Sequence, residues 1–133
     1  MPYARNMRAA TTRHYSDAES LFANNRYDND GYHYGFSAEC ALKGVMERVG
    51  ITIDEVEVNG RTAYYLHFPE LRRIPTQQAG RLSQSIAALL GRAQFLEEWH
   101  IKMRYAPDRS ISKSRCEIWR AQVEDFNNSC MGI

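Results

Sequence analysis

His14, His33, His67 and His100 are the four imidazoles of the chain, and imidazole is the side chain best suited to carry protons or metals near neutral pH. They fall in four different predicted elements. No His-x-x-x-His or Glu-x-x-His pair sets two ligands on one helix face, so no metal site is expected. His14, on an apolar helix face, reads as a hydrogen-bonded core residue. Cys40, Cys116 and Cys130 are odd in number and widely spaced, which predicts reduced thiols and neither disulfides nor structural zinc. Cys40 lies among apolar neighbours, and Cys116 and Cys130 fall in an apolar seam, where a free thiol behaves as a small hydrophobe. Gly31 and Gly35 make neither a P-loop nor a dinucleotide fingerprint, and no Gly-x-Ser-x-Gly occurs. Glu97 and Glu98 point apart on a helix, and Glu55 and Glu57 alternate on a strand, so neither pair is an acid/base couple. What remains is Glu39 with Lys43, four apart in the order that favours an ion pair worth roughly 0.3–0.5 kcal/mol, and the string Arg104-Tyr105-Ala106-Pro107-Asp108-Arg109. Arg104 either locks the helices through a carboxylate, with Glu39 as the expected partner in a buried pair, or turns its donors into a cleft that receives phosphate or RNA.

Helical periodicity positions these residues. Met7, Ala10, His14, Ala18 and Leu21 predict a first helix over Tyr3 to Asn24. Tyr34, Ala38, Ala41, Leu42, Val45 and Val49 predict a second over Asp30 to Val49, started by the Asp28–Gly31 turn and stopped at Gly50. Ile51, Ile53, Val56 and Val58 then alternate up to Asn59-Gly60, and Thr62, Tyr64 and Leu66 alternate after it, which predicts a β-hairpin. Thr76 is the expected cap of a third helix carrying Leu82, Ile86, Leu89, Leu90 and Ala93, weakened or broken at Gly91. A fourth is expected over Phe95 to Tyr105, ended by Pro107. A last helix carries Cys116, Trp119, Val123, Phe126 and Cys130 behind the capping-box spacing of Ser114 and Glu117. The expected fold is mainly all-α: a four- to five-helix up-and-down bundle, one domain over 1–133, with a small inserted β-hairpin at about 51–67.

Composition narrows the function. Seventeen Lys+Arg against sixteen Asp+Glu leave a formal charge of +1 and a pI near 7.8, too neutral for a protein whose business is coating DNA or an anionic membrane. No apolar run approaches the ~20 residues of a membrane span. The N-terminal residues lack the uninterrupted apolar stretch of a signal peptide, so the expected location is cytoplasmic.

Read in order, several strings resemble the HEPN-domain family: Ala18-Glu19 with His14 and Leu21; Tyr32 through Gly44, with Ala38-Glu39-Cys40-Ala41-Leu42-Lys43 at its centre; His67-Phe68-Pro69-Glu70-Leu71; Trp99; and Arg104-Tyr105 with Pro107-Asp108. The likeness covers His14 to about Phe126. It implies a helical bundle, commonly a homodimer, often encoded beside a minimal nucleotidyltransferase. Many members are metal-independent endoribonucleases of toxin–antitoxin, phage-defence and RNA-processing systems. Their signature is an Arg, four to six intervening residues and a His near the start of the last long helix. Here Arg104 is followed at those positions by Arg109, Ser110 and Ile111. The same spacing occurs at Arg8–His14, Arg26–His33 and Arg61–His67, away from that context, and reads as coincidence. The resemblance therefore implies a non-catalytic module that binds a nucleotide, a nucleic acid or a protein partner, without a cofactor. Glu39, Lys43, Arg104 and Tyr105 would line or brace its cleft, with Asp108 and Arg109 at the rim. The alternative is a ribonuclease with an altered site, in which Arg104 stabilises phosphate and His100 or His33 acts as base.

Overall fold

The structure, a computed structural model, describes residues 3–132; residues 1, 2 and 133 of the expected domain lie outside the described residues. It is mainly helical with one small hairpin. Three long helices carry it: α1 (Met7–Ala23), α2 (Tyr27–Arg48) and α5 (Lys113–Met131). Two short ones, α3 (Arg73–Gln77) and α4 (Gln84–Gly91), lie in the long crossover between α2 and α5. Among the described residues no helix is long and apolar enough to cross a membrane.

Contacts along the long helices give their directions. Thr11 pairs with Ser37, His14 with His33, and Glu19 with Tyr34, so α1 and α2 run antiparallel across the tight turn at Asn24–Arg26. Cys116 meets Tyr27, Asn127 meets Ser37, and Cys130 meets Arg48, so α5 runs parallel to α2. A parallel neighbour needs a long return path, and residues 49–112 supply it. Glu19 ties all three helices: it accepts a fork from Arg120 at 2.8 Å to each oxygen and the Tyr34 hydroxyl at 2.7 Å.

α2 is the central helix. The sequence pattern suggests one apolar stripe, yet nearly every residue from Tyr34 to Met46 is buried. Its neighbours cover it on all sides, and small residues let them close in. A Cβ on Gly35 would stand 2.1 Å from the Trp99 indole, and one on Gly31 would stand 2.7 Å from Trp119.

Several boundaries differ from the periodicity reading, each for a local reason. The second helix starts at Tyr27, and Asn25 takes the positive φ of 58° that closes the turn. Asp28 caps nothing in its own helix; its carboxylate instead accepts the Arg109 and Ile111 amides at 2.8 and 3.0 Å. The hairpin is real but short: Glu57 pairs with Thr62 and Val58 with Arg61, across Asn59 and Gly60, both at positive φ. Ile51 and Ile53 are buried outside any strand. Ser83, not Thr76, caps α4, and the last helix is capped by Ser112, not Ser114.

The largest correction concerns the expected fourth helix. Residues 93–98 form turns, with Leu96 and Glu98 at positive φ, Trp99 and His100 lie outside any helix, and only a 3₁₀ turn follows at Ile101–Tyr105. Side chains of α5 take the place of helical hydrogen bonds there. Gln122 accepts the Leu96 amide and donates to the Gln94 carbonyl, while the Trp119 indole donates to the Glu97 carbonyl. Phe95, Leu96 and Trp99 can then all enter the core.

Among the described residues two buried side-chain groups lack partners, the Asn127 carbonyl oxygen and, more costly, the carboxylate of Asp30. Asp30 is fully buried, and neither carboxylate oxygen has a partner. Burial pushes its pKa up to about 7, with repulsion from Glu19 adding to the rise and the Cys116 thiol and Arg120 opposing it. A carboxyl that holds its proton more tightly folded than unfolded makes the fold lose stability as pH rises from about 4 to about 7. Asp30→Asn is therefore expected to stabilise the protein at pH 8 and to leave it nearly unchanged at pH 4, read by urea denaturation at both. Gly35→Ala is expected to lower stability by about 1–3 kcal/mol through overpacking against Trp99. In the same assay Gly91→Ala, which meets open space, should be neutral or slightly stabilising.

Candidate functional site

One face of α2 carries Tyr32, Phe36, Glu39 and Lys43 at steps of four, three and four, the spacing that stacks side chains in a row. Glu39 is 1% exposed. Its Oε1 accepts the Phe68 amide at 3.0 Å, and its Oε2 lies 2.9 Å from His67 Nδ1. A carboxylate can only accept, so Nδ1 carries the hydrogen. That leaves Nε2 of the half-buried ring as the free position. Lys43, one turn further on, is also buried, and its ammonium donates to the Tyr64 carbonyl at 2.8 Å. Burial holds the Lys43 pKa below its ordinary value, against the pull of Glu39.

These groups form the floor of a cleft of about 510 Å³ between α1 and the hairpin segment, a size suited to a small ligand. Arg13 from α1 and Arg61 from the hairpin stand on its walls with Tyr64, Phe36 and His14. Arg5 lines it too, but its guanidinium is held by Asp54 at 2.8 Å and Glu47 at 3.0 Å. Arg13, Lys43 and Arg61 form no ion pair among the described residues, and Arg61 donates only to the Tyr65 carbonyl. The cleft thus gathers three cations around one carboxylate, and hydrogen bonds from His67 and Phe68 already occupy that carboxylate. Burial pushes the Cys40 thiol up to about 11, which disfavours the reactive thiolate.

The other expected site residues lie elsewhere. The Arg104 guanidinium sits 5.8 Å from the Tyr32 ring centre and 5.3 Å from that of Tyr105, near the start of α2. The expected Glu39–Arg104 pair does not form: Glu39 is answered by the crossover segment instead, and the seven residues from Tyr32 to Glu39 are about 10 Å of helix. Tyr105 and Arg104 are exposed. Asp108 and Arg109 flank the first turn of α2, where Asp28 holds the Arg109 backbone. His100 Nδ1 caps its own 3₁₀ turn by accepting the Lys102 amide at 3.1 Å, and His33 faces His14. Among the described residues no imidazole is hydrogen-bonded to Arg104.

Glu39 and Lys43 share one cleft, then, with Arg13, Arg61, Tyr64 and His67, none of which the sequence pattern placed at the site. One signal pointed to two of them: the Arg61–His67 spacing. It read as chance because it lies in a hairpin, far from the start of the last helix.

No family model, curated protein or solved structure matches the chain. The site is therefore read from its own geometry.

Two variants separate the partners of Glu39. Glu39→Ala leaves the Phe68 amide and the His67 ring unanswered in a buried place, and a loss of about 3–5 kcal/mol is expected. Arg104→Ala removes an exposed side chain, and stability within about 0.5 kcal/mol of the parent is expected. Thermal or urea denaturation of both variants checks this; equal losses would restore the Glu39–Arg104 pair.

Proposed function

We propose that the chain is a binding module with a HEPN-like helical frame, and that its cleft takes a phosphate-bearing ligand, a nucleotide or a short stretch of RNA. The observation that carries this reading is the convergence of Arg13, Lys43 and Arg61 on one cleft whose single carboxylate already has its partners. Guanidinium groups match phosphate in geometry as well as charge. Tyr64 and Phe36 offer flat faces on which a base can stack. The sequence resemblance adds the setting: a cytoplasmic homodimer working beside a nucleotidyltransferase or another component of a toxin–antitoxin or defence system. Three buried free thiols suit a reducing compartment.

A second reading, metal-independent RNA cleavage, has one observation in its favour. His67 is oriented by a buried carboxylate and lines the same cleft as the cations, an arrangement in which Nε2 can take a proton. Under that reading the base is His67 rather than His100 or His33, and the phosphate is held by Arg61 and Arg13 rather than Arg104.

Fluorescence anisotropy with a short labelled RNA, competed with free nucleotides, tests the proposal. Arg13→Ala and Arg61→Ala are each expected to weaken binding about tenfold and to lower the salt dependence, as loss of a phosphate contact does. Arg104→Ala should leave affinity unchanged. Binding that survives the Arg13→Ala/Arg61→Ala double variant, or that falls with Arg104→Ala, would overturn it. Cleavage of the RNA in metal-free buffer, lost in His67→Ala, would decide for the second reading.

A further inference from the structure

We propose that His14 and His33 form a two-imidazole site for a borderline divalent cation of the zinc class, flanked by Asp17. The two rings meet across the α1–α2 seam with their Nδ1 atoms 3.2 Å apart, ring planes 21° apart and centroids 5.4 Å apart. Two nitrogens bound to one tetrahedral zinc at about 2.0–2.1 Å stand roughly 3.3–3.4 Å from each other. The separation of the two hydrogen-bonded nitrogens is thus already close to the bite of such an ion, which would take the place of the shared hydrogen.

Neighbouring groups hold the two rings in place. Phe36 packs edge-on against His14 at 4.4 Å and Tyr32 against His33 at 5.3 Å, which restricts the rings. Asp17 lies one turn beyond His14 on α1, exposed, and its charge acts on both imidazoles. Imidazole donors select zinc, nickel or copper over magnesium or calcium.

Among the described residues no three His, Cys, Asp or Glu side chains already converge. The two imidazoles would fill two of the four tetrahedral positions, one protein ligand fewer than an open zinc site usually has, and water or an added ligand would fill the others. His14 also lines the cleft, so an ion here adds positive charge at its rim. The sequence pattern spoke against a metal because no single helix face carries two imidazoles; this pair forms between two helices. The inference stands independently of the phosphate-binding reading.

The test uses the untagged full chain, stripped with chelator and titrated with Zn²⁺ at neutral pH. The expected result is one zinc per chain, lost in His14→Asn and in His33→Asn, with circular dichroism confirming that both variants fold. Nitrogen-15 imidazole spectra of the unmutated protein give a readout that needs no variant. Zinc should shift both Nδ1 resonances and leave both rings as Nε2–H tautomers, whereas a plain hydrogen bond keeps one ring as Nδ1–H. Zinc uptake no greater than that of the His14→Asn/His33→Asn double variant, or uptake without movement of either Nδ1 resonance, would overturn the proposal.

Discussion

A carboxylate in the middle of a buried helix has to be answered, and the rest of this molecule is arranged around how Glu39 is answered. Taking its charge out of water is unfavourable by several kcal/mol unless hydrogen bonds replace the lost hydration. The partners come from two consecutive residues, His67 and Phe68, so one side chain of α2 fastens the crossover segment at a single point. Leu66, Phe68, Leu71 and Ile74 are then buried around that point. The hairpin just before it is left overhanging α2, and that overhang makes one wall of the cleft.

The same constraint sorts the charges. Arg104 has no place at Glu39 once the crossover occupies it, and it stands instead beside the half-buried Tyr32 ring and the exposed Tyr105 ring. Lys43 is drawn under the hairpin by the Tyr64 carbonyl, while among the described residues Arg13 and Arg61 have no carboxylate partner. Along about 16 Å of one helix face, the surface passes from cation-on-aromatic stacking at Tyr32 to a polar latch at Glu39 and then to a buried ammonium. The cleft is positive although the whole chain is nearly neutral, because the carboxylates that could cancel it, Asp54 and Glu47, are engaged with Arg5.

Much of this was legible from residue types, because it rests on local rules. The 3.6-residue period located α1, α2 and α5, and the Asn59-Gly60 pair located the hairpin turn. The segment 95–105 was not legible. Its apolar spacing is helical, but Gln122 and Trp119, 22 to 28 residues away from the groups they bond, satisfy its backbone and release it from the helix. Glu39 and Lys43 stood out as a pair. Their neighbours in the cleft did not, since Arg13 stands on α1 while Arg61 and His67 stand on the crossover, and only the packed fold brings them together. The His14–His33 contact escaped for the same reason: two helices packing antiparallel set it, and neither helix face carries it alone.

The proposed binding rests on one cleft, and an amide chemical-shift map during titration with a short RNA or a nucleotide tests it most directly. The largest changes should fall on Arg13, Lys43, Arg61, Tyr64 and the His67–Phe68 pair, with the Arg104–Arg109 segment unmoved. Changes centred on Arg104, Tyr105 and Arg109, with the cleft residues silent, would contradict it.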